Sequence, residues 1–137
     1  CGYTFYDSGG LAGNYANSQN ITVTICAPAG QYLTINFTAF STEAGFDVLS
    51  VYNGGSTASP LIGNYSGSNS PGSITTTQGG CITIKFVSDG SIVSSGWAAS
   101  ISCSNNPPAS PGPIINFGSN KFIIIFIFRS ITSITLF

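Results

Sequence analysis

The sequence predicts an all-β domain, a sandwich of two antiparallel sheets, extended by one further strand at the C-terminus. Three observations carry this reading. Residues 1–103 form short apolar–polar runs, with no helical periodicity long enough to define a helix. Turn residues separate those runs at the regular spacing expected of a sandwich or barrel. Far downstream, Phe122 to Phe128 are seven consecutive large apolar residues, aromatic or β-branched, which favour strand over helix.

The predicted strands are Tyr3–Tyr6, Ile21–Cys26, Tyr32–Phe40, Asp47–Tyr52, Leu61–Gly63, Ser73–Thr77, Cys81–Ser88 and Trp97–Cys103. Gly9-Gly10, Pro28-Ala29-Gly30, Asn53-Gly54-Gly55, Pro71-Gly72 and Gly79-Gly80 lie between them. The alternation is clearest in the third strand. Leu33, Ile35 and Phe37 share one face there, while Tyr32, Thr34, Asn36 and Thr38 share the other. Residues 104–113, SNNPPASPGP, read as a Pro-rich extended linker reaching roughly 30 Å. Residues 114–137 form a separate apolar tail.

Charge is scarce. Only 5% of the chain is charged, against about 25% in an ordinary domain. Three cations cannot build a basic patch, which excludes nucleic acid and makes an anionic membrane surface a poor partner. The chain has no His, no Ser beside an evident base and no phosphate-cradling loop, so catalysis is not expected. Ser, Thr, Asn and Gly make the surface polar instead. Three N-x-S/T sequons, at Asn20, Asn36 and Asn64, are acceptors for N-glycans in an exported protein. Asn36 falls on the solvent side of its strand.

Four cysteines, Cys1, Cys26, Cys81 and Cys103, allow three pairings. No C-x-x-C pair is present, which argues against zinc and redox chemistry. Cys81 and Cys103 are equally distant from a turn near Ser91 to Gly96, which favours Cys81–Cys103 and leaves Cys1–Cys26. Inward Ile82, Ile84 and Phe86 turn Cys81 outward, so hairpin and inter-sheet bridging both stay open. Disulfides and sequons together predict an extracellular protein, processed to begin at Cys1.

The segments DSGGLAGNY, ITVTICAPAG, FTAFSTEAGFDVLSVYNG, LIGNYSG and CITIKFVSDGSIVSSGWAASISC, in that order, resemble the CUB domain across residues 1–103. The resemblance implies a jelly-roll-like β-sandwich that binds proteins or glycans outside the cell. It also implies calcium, held by Glu43, Asp47 and Asp89 with a backbone carbonyl near Ser91, and Tyr15 hydrogen-bonded to the carboxylates. The family's second cysteine pair has no counterpart here, so the second disulfide cannot be carried over. The residues support the cation independently. Three of only four carboxylates sit at strand ends that a sandwich brings together, and clustered like charges favour a hard divalent ion. Asp7 is either a further ligand or a turn residue before Gly9-Gly10.

The tail is surplus to such a sandwich. Phe122, Ile124, Phe126 and Phe128 line one face of a strand, with Ile123, Ile125 and Ile127 on the other. Both faces want burial. Three fates follow: insertion into another copy, packing on its own domain, or entry into lipid as a span or anchor. Arg129 argues against a span. The expected function is a glycosylated structural protein that self-assembles head to tail into a fibre or matrix. The alternatives are a monomeric recognition module with calcium-ordered loops, and an anchored cell-surface fragment.

Overall fold

The computed structural model describes residues 1–109. Eight strands form two four-stranded antiparallel sheets: β1 (Tyr3–Tyr6), β2 (Asn20–Cys26), β3 (Tyr32–Ser41), β4 (Val48–Asn53), β5 (Leu61–Tyr65), β6 (Ser73–Thr75), β7 (Cys81–Val87) and β8 (Gly96–Ser104). One sheet has the order β1-β8-β3-β6 and the other β2-β7-β4-β5. All eight predicted strands are present, with ends shifted by a few residues. The expected all-β sandwich is therefore the fold.

Alternation sets which side chains meet between the layers. Leu33, Ile35 and Phe37 of β3 face Leu49 and Val51 of β4 and Ile82, Ile84 and Phe86 of β7 in one core. Trp97 stacks edge-on against Phe86 with centroids 4.9 Å apart, and Phe5 of β1 packs on the indole at 5.8 Å. A register shift between Phe37 and Ala39 lets β3 follow β8 past the end of the core. There the Thr38 hydroxyl donates to the Ala98 carbonyl at 3.1 Å.

The disulfides differ from the expected pairing. They are Cys1–Cys103 and Cys26–Cys81. The spacing argument set Cys81 and Cys103 level across a turn between two antiparallel strands, but β7 and β8 lie in different sheets and each cysteine is paired with a neighbour in its own sheet. β7 pairs instead with β2, in a register that sets Cys26 opposite Cys81. β8 pairs with β1, and Tyr3 opposite Ile101 carries Cys1 to Cys103. Cys81 does point away from the core, as its neighbours required.

Asp7 is a turn residue. Its carboxylate accepts the Gly9 amide at 2.7 Å and the Trp97 amide at 2.8 Å, binding the end of β1 to the start of β8. Gly96 fits there because a Cβ would strike that carboxylate. Phe122, Ile123, Ile124, Ile125, Phe126, Ile127 and Phe128 lie outside the described residues, as do residues 110–113 of the linker.

Candidate cation site

Glu43 and Asp47 bracket the loop from β3 to β4, and Asp89 follows β7. The sheet that pairs β4 with β7 brings these two loops to the same end of the sandwich. One carboxylate oxygen from each of Glu43, Asp47 and Asp89 lies within 4.8 Å of the others. Tyr15, from the loop between β1 and β2, reaches in beneath them.

Each group is fixed differently. Asp47 is 0% exposed. Its Oδ2 accepts the Tyr15 hydroxyl at 2.5 Å, and its Oδ1 accepts the Asp89 amide at 2.9 Å. The Tyr15 oxygen also accepts the Glu43 amide at 3.0 Å, so one phenol ties both ends of the β3–β4 loop, and Asp47 in turn holds Asp89. Its ring is buried edge-on against Phe86 at 5.0 Å. Burial, then the bond to Asp47, raises the Tyr15 phenol above its ordinary value and keeps it a donor. Asp89 is exposed, and its Oδ1 accepts the Ser91 amide at 2.9 Å.

Thr42 was not foreseen. Buried beside Glu43, its hydroxyl donates to the Asp47 carbonyl at 2.8 Å and accepts the Gly67 amide at 3.1 Å. It thus closes the loop carrying both acids and anchors it to the β5–β6 connection. A threonine among many in this chain gives no signal of that role. On the other side, Ser88 donates to the Ala16 carbonyl and accepts the Gln19 amide, both at 2.9 Å, pinning the Tyr15 loop to the end of β7.

The electrostatics are unbalanced. Desolvation first, then the charges of Asp89 and Asp47, raise Glu43 above the usual carboxylate range. Its Oε2 is buried with no hydrogen-bond partner among the described residues. A buried acceptor left unpaired calls for an explanation. The donor set answers it. Calcium takes hard oxygens at about 2.3–2.6 Å, so two ligands on one ion stand no more than about 5 Å apart. The three carboxylates meet that spacing and leave one oxygen free to point at an ion. Ser91 is held at the site through its amide.

Known proteins now supply context. Residues 4–101 match the CUB domain family. Human cubilin is 35% identical over 96 residues, covering 66% of this chain and 3% of cubilin. The exoskeleton protein RP43 of Riftia pachyptila is 31% identical over 91 residues, covering 63% of this chain and 21% of that protein. The chain therefore spans a small part of these relatives. The crystal structure of the MASP-1 CUB2 domain bound to Ca2+ superposes with a TM-score of 0.59 at 28% identity, covering 72% of this chain and 88% of that one. Such modules are interaction domains of extracellular proteins rather than enzymes. With the sandwich, the acidic cluster and this match in agreement, the chain belongs to the CUB domain family.

Proposed function

We propose that this module binds one calcium ion through Glu43, Asp47 and Asp89, and that the loops so ordered bind an extracellular protein or glycan. The observation that carries this reading is the carboxylate cluster itself, with the Glu43 Oε2 unpaired among the described residues. A bound divalent cation neutralises the three acids and cross-links the β3–β4 and β7–β8 loops; a carbonyl near Ser91 is a further ligand in this proposal. Two exposed apolar side chains flank the site. Phe46, between the two acids, is 64% exposed, and Ile92 is 65% exposed. Ile92 also holds a φ of 52°, which costs a β-branched residue energy and marks a constrained loop. The MASP-1 CUB2 domain, solved with Ca2+, supports the same cation here. Asn20, Asn36 and Asn64 are all exposed, and N-glycans are proposed at these three positions. An endoglycosidase that leaves the mass of secreted protein unchanged refutes them.

Calcium is expected to raise the melting temperature and a chelator to reverse it. Binding to the folded state alone adds about 2.7 kcal/mol at a hundred times the dissociation constant. The sign for Glu43 without calcium follows from its raised folded-state value. The penalty on its charged form is absent at low pH, appears as pH rises through the ordinary carboxylate value, and is complete above the raised one. Hence Glu43→Gln should melt higher than the parent in chelator at neutral pH, lose that advantage in acid, and respond less to calcium. Superimposable parent melts in calcium and chelator defeat the site.

A second reading, assembly into an extracellular matrix through residues 122–128, is favoured by similarity to an exoskeleton protein. Its test is sedimentation of the purified full chain across a concentration series. Species larger than one copy support it, and a single monomeric species at every concentration rejects it.

A further inference from the structure

Among the described residues, the core of this sandwich is open along one flank. Among those residues, β1 and β2 are the edge strands of their respective sheets, and each has one side of its backbone unpaired. β1 has four residues and β2 has seven, so β1 is too short to cover its counterpart. Between them lies an apolar slot of about 190 Å³, lined chiefly by Phe5, Ile21, Val23, Ile84, Phe86 and Trp97. Ile21 shares the inward parity of Val23 and Ile25 yet remains 36% exposed. Among the described residues nothing fully covers it.

Trp97 supplies a second, independent observation. Its side chain is 5% exposed, and its Nε1 is buried with no acceptor among the described residues. Tyr6, Asp7 and Ser8 also line the slot, and the Asp7 carboxylate is engaged by the Gly9 and Trp97 amides. An occupant matched to this place therefore brings an aromatic or branched apolar side chain and a hydrogen-bond acceptor. A β-strand has both, through its alternating side chains and its carbonyls, and it also satisfies the free edges of β1 and β2.

The sequence carries an apolar run of suitable composition. Phe122–Phe128 is an unbroken apolar run, and 17 residues separate it from Ser104, the last residue of β8. Their contour reaches up to about 60 Å, beyond the roughly 35 Å width of a domain of this size, so it spans to a neighbour. The volume also fits. An apolar cavity of about 150 Å³ accepts a benzene-sized ring, so this slot takes about one phenyl group. A single slot covers one face of the segment at most. The other face needs a second surface, which a second copy provides.

We infer that the β1–β2 slot is the receptor for Phe122–Phe128 of a second copy, with an aromatic side chain entering beside Trp97. This deepens the assembly reading and rests on it. Each copy then offers one slot and one segment, a head-to-tail arrangement that propagates.

Complementation in the full-length chain tests this. Ile21→Trp fills the slot from an already part-exposed position, and Phe126→Asp spoils the segment while leaving the slot intact. Each variant alone should sediment as a monomer, and an equimolar mixture should form heterodimers and nothing longer. Retained calcium-dependent melting shows that both are folded. In the parent, Trp97 is the sole tryptophan, so its emission should shift with the same concentration dependence as the sedimentation. A parent that is monomeric throughout rejects assembly itself. An Ile21→Trp variant that still assembles rejects the slot while leaving assembly standing. A monomeric parent whose Trp97 emission is changed by Phe126→Asp shows the segment in its own slot, and overturns the second copy as its source.

Discussion

Replacing Asp47 with Ala is expected to abolish the calcium response and to cost the domain about 3–5 kcal/mol of stability. The size follows from what this carboxylate holds. It is fully buried and accepts both the Tyr15 hydroxyl and the Asp89 amide. Removing an acceptor from a buried donor costs about 1–3 kcal/mol, and here two donors lose theirs together. The void left beside the Tyr15 hydroxyl and the Asp89 amide adds a further cavity cost. Asp47→Asn separates the two roles. Its amide keeps the shape and one acceptor oxygen, and it removes a charge from beside Glu43. Tyr15 then has to reorient its hydroxyl, or the Asn its amide, so a loss of about 1 kcal/mol is expected without calcium. Both variants should lack the calcium-induced rise in melting temperature. Thermal melts in calcium and in chelator decide the matter. An Asp47→Asn variant that keeps the parent's calcium gain shows that this residue is a structural acceptor and not a ligand.

What could be read from the sequence, and what could not, follows from the physics of strands. Period-two alternation told which side of β3 faces the core, because Leu33, Ile35 and Phe37 have no other stable placement. It also turned Cys81 outward correctly. Alternation is silent about partners, though. Nothing in CITIKFV or GWAASISC says which strands these two pair with, and equal distance from a turn gave the wrong disulfides because β7 pairs with β2 and β8 with β1. The acids stood out because carboxylates are so rare in this chain, and Glu43, Asp47 and Asp89 do converge. Their supports did not stand out. Thr42 and Ser88 are ordinary members of a Ser/Thr-rich composition, and their roles arise only when loops distant in sequence meet. The unfilled slot was equally hidden, since a short β1 and a longer β2 look unremarkable until they are set opposite each other.

Loss of either disulfide should be costly, and the two losses should look different. Cys26–Cys81 spans 55 residues and Cys1–Cys103 spans 102. In the chain-entropy account such loops contribute about 4 and about 5 kcal/mol, with less delivered if the unfolded chain keeps structure. Local architecture then separates them. Cys26 and Cys81 close one end of a seven-residue ladder that Ile21, Val23 and Ile25 also hold. Removing that bond should lower stability globally while leaving the β2–β7 amides protected in the native state. Cys1–Cys103 instead secures a four-residue edge strand. Without it β1 keeps only its pairing to β8, the Phe5–Trp97 contact and the Asp7 carboxylate. A Cys1→Ala/Cys103→Ala variant should therefore show fast amide exchange across Tyr3 to Tyr6, with β2, β4 and β7 still protected. Trp97 should become more accessible to a fluorescence quencher, since Phe5 no longer covers it. Non-reducing peptide mapping checks the pairing first, and a Cys81–Cys103 linkage there would contradict the strand order itself. If β1 amides stay protected after Cys1 and Cys103 are replaced, the edge strand is held by its side chains, and the disulfide acts on the unfolded state alone.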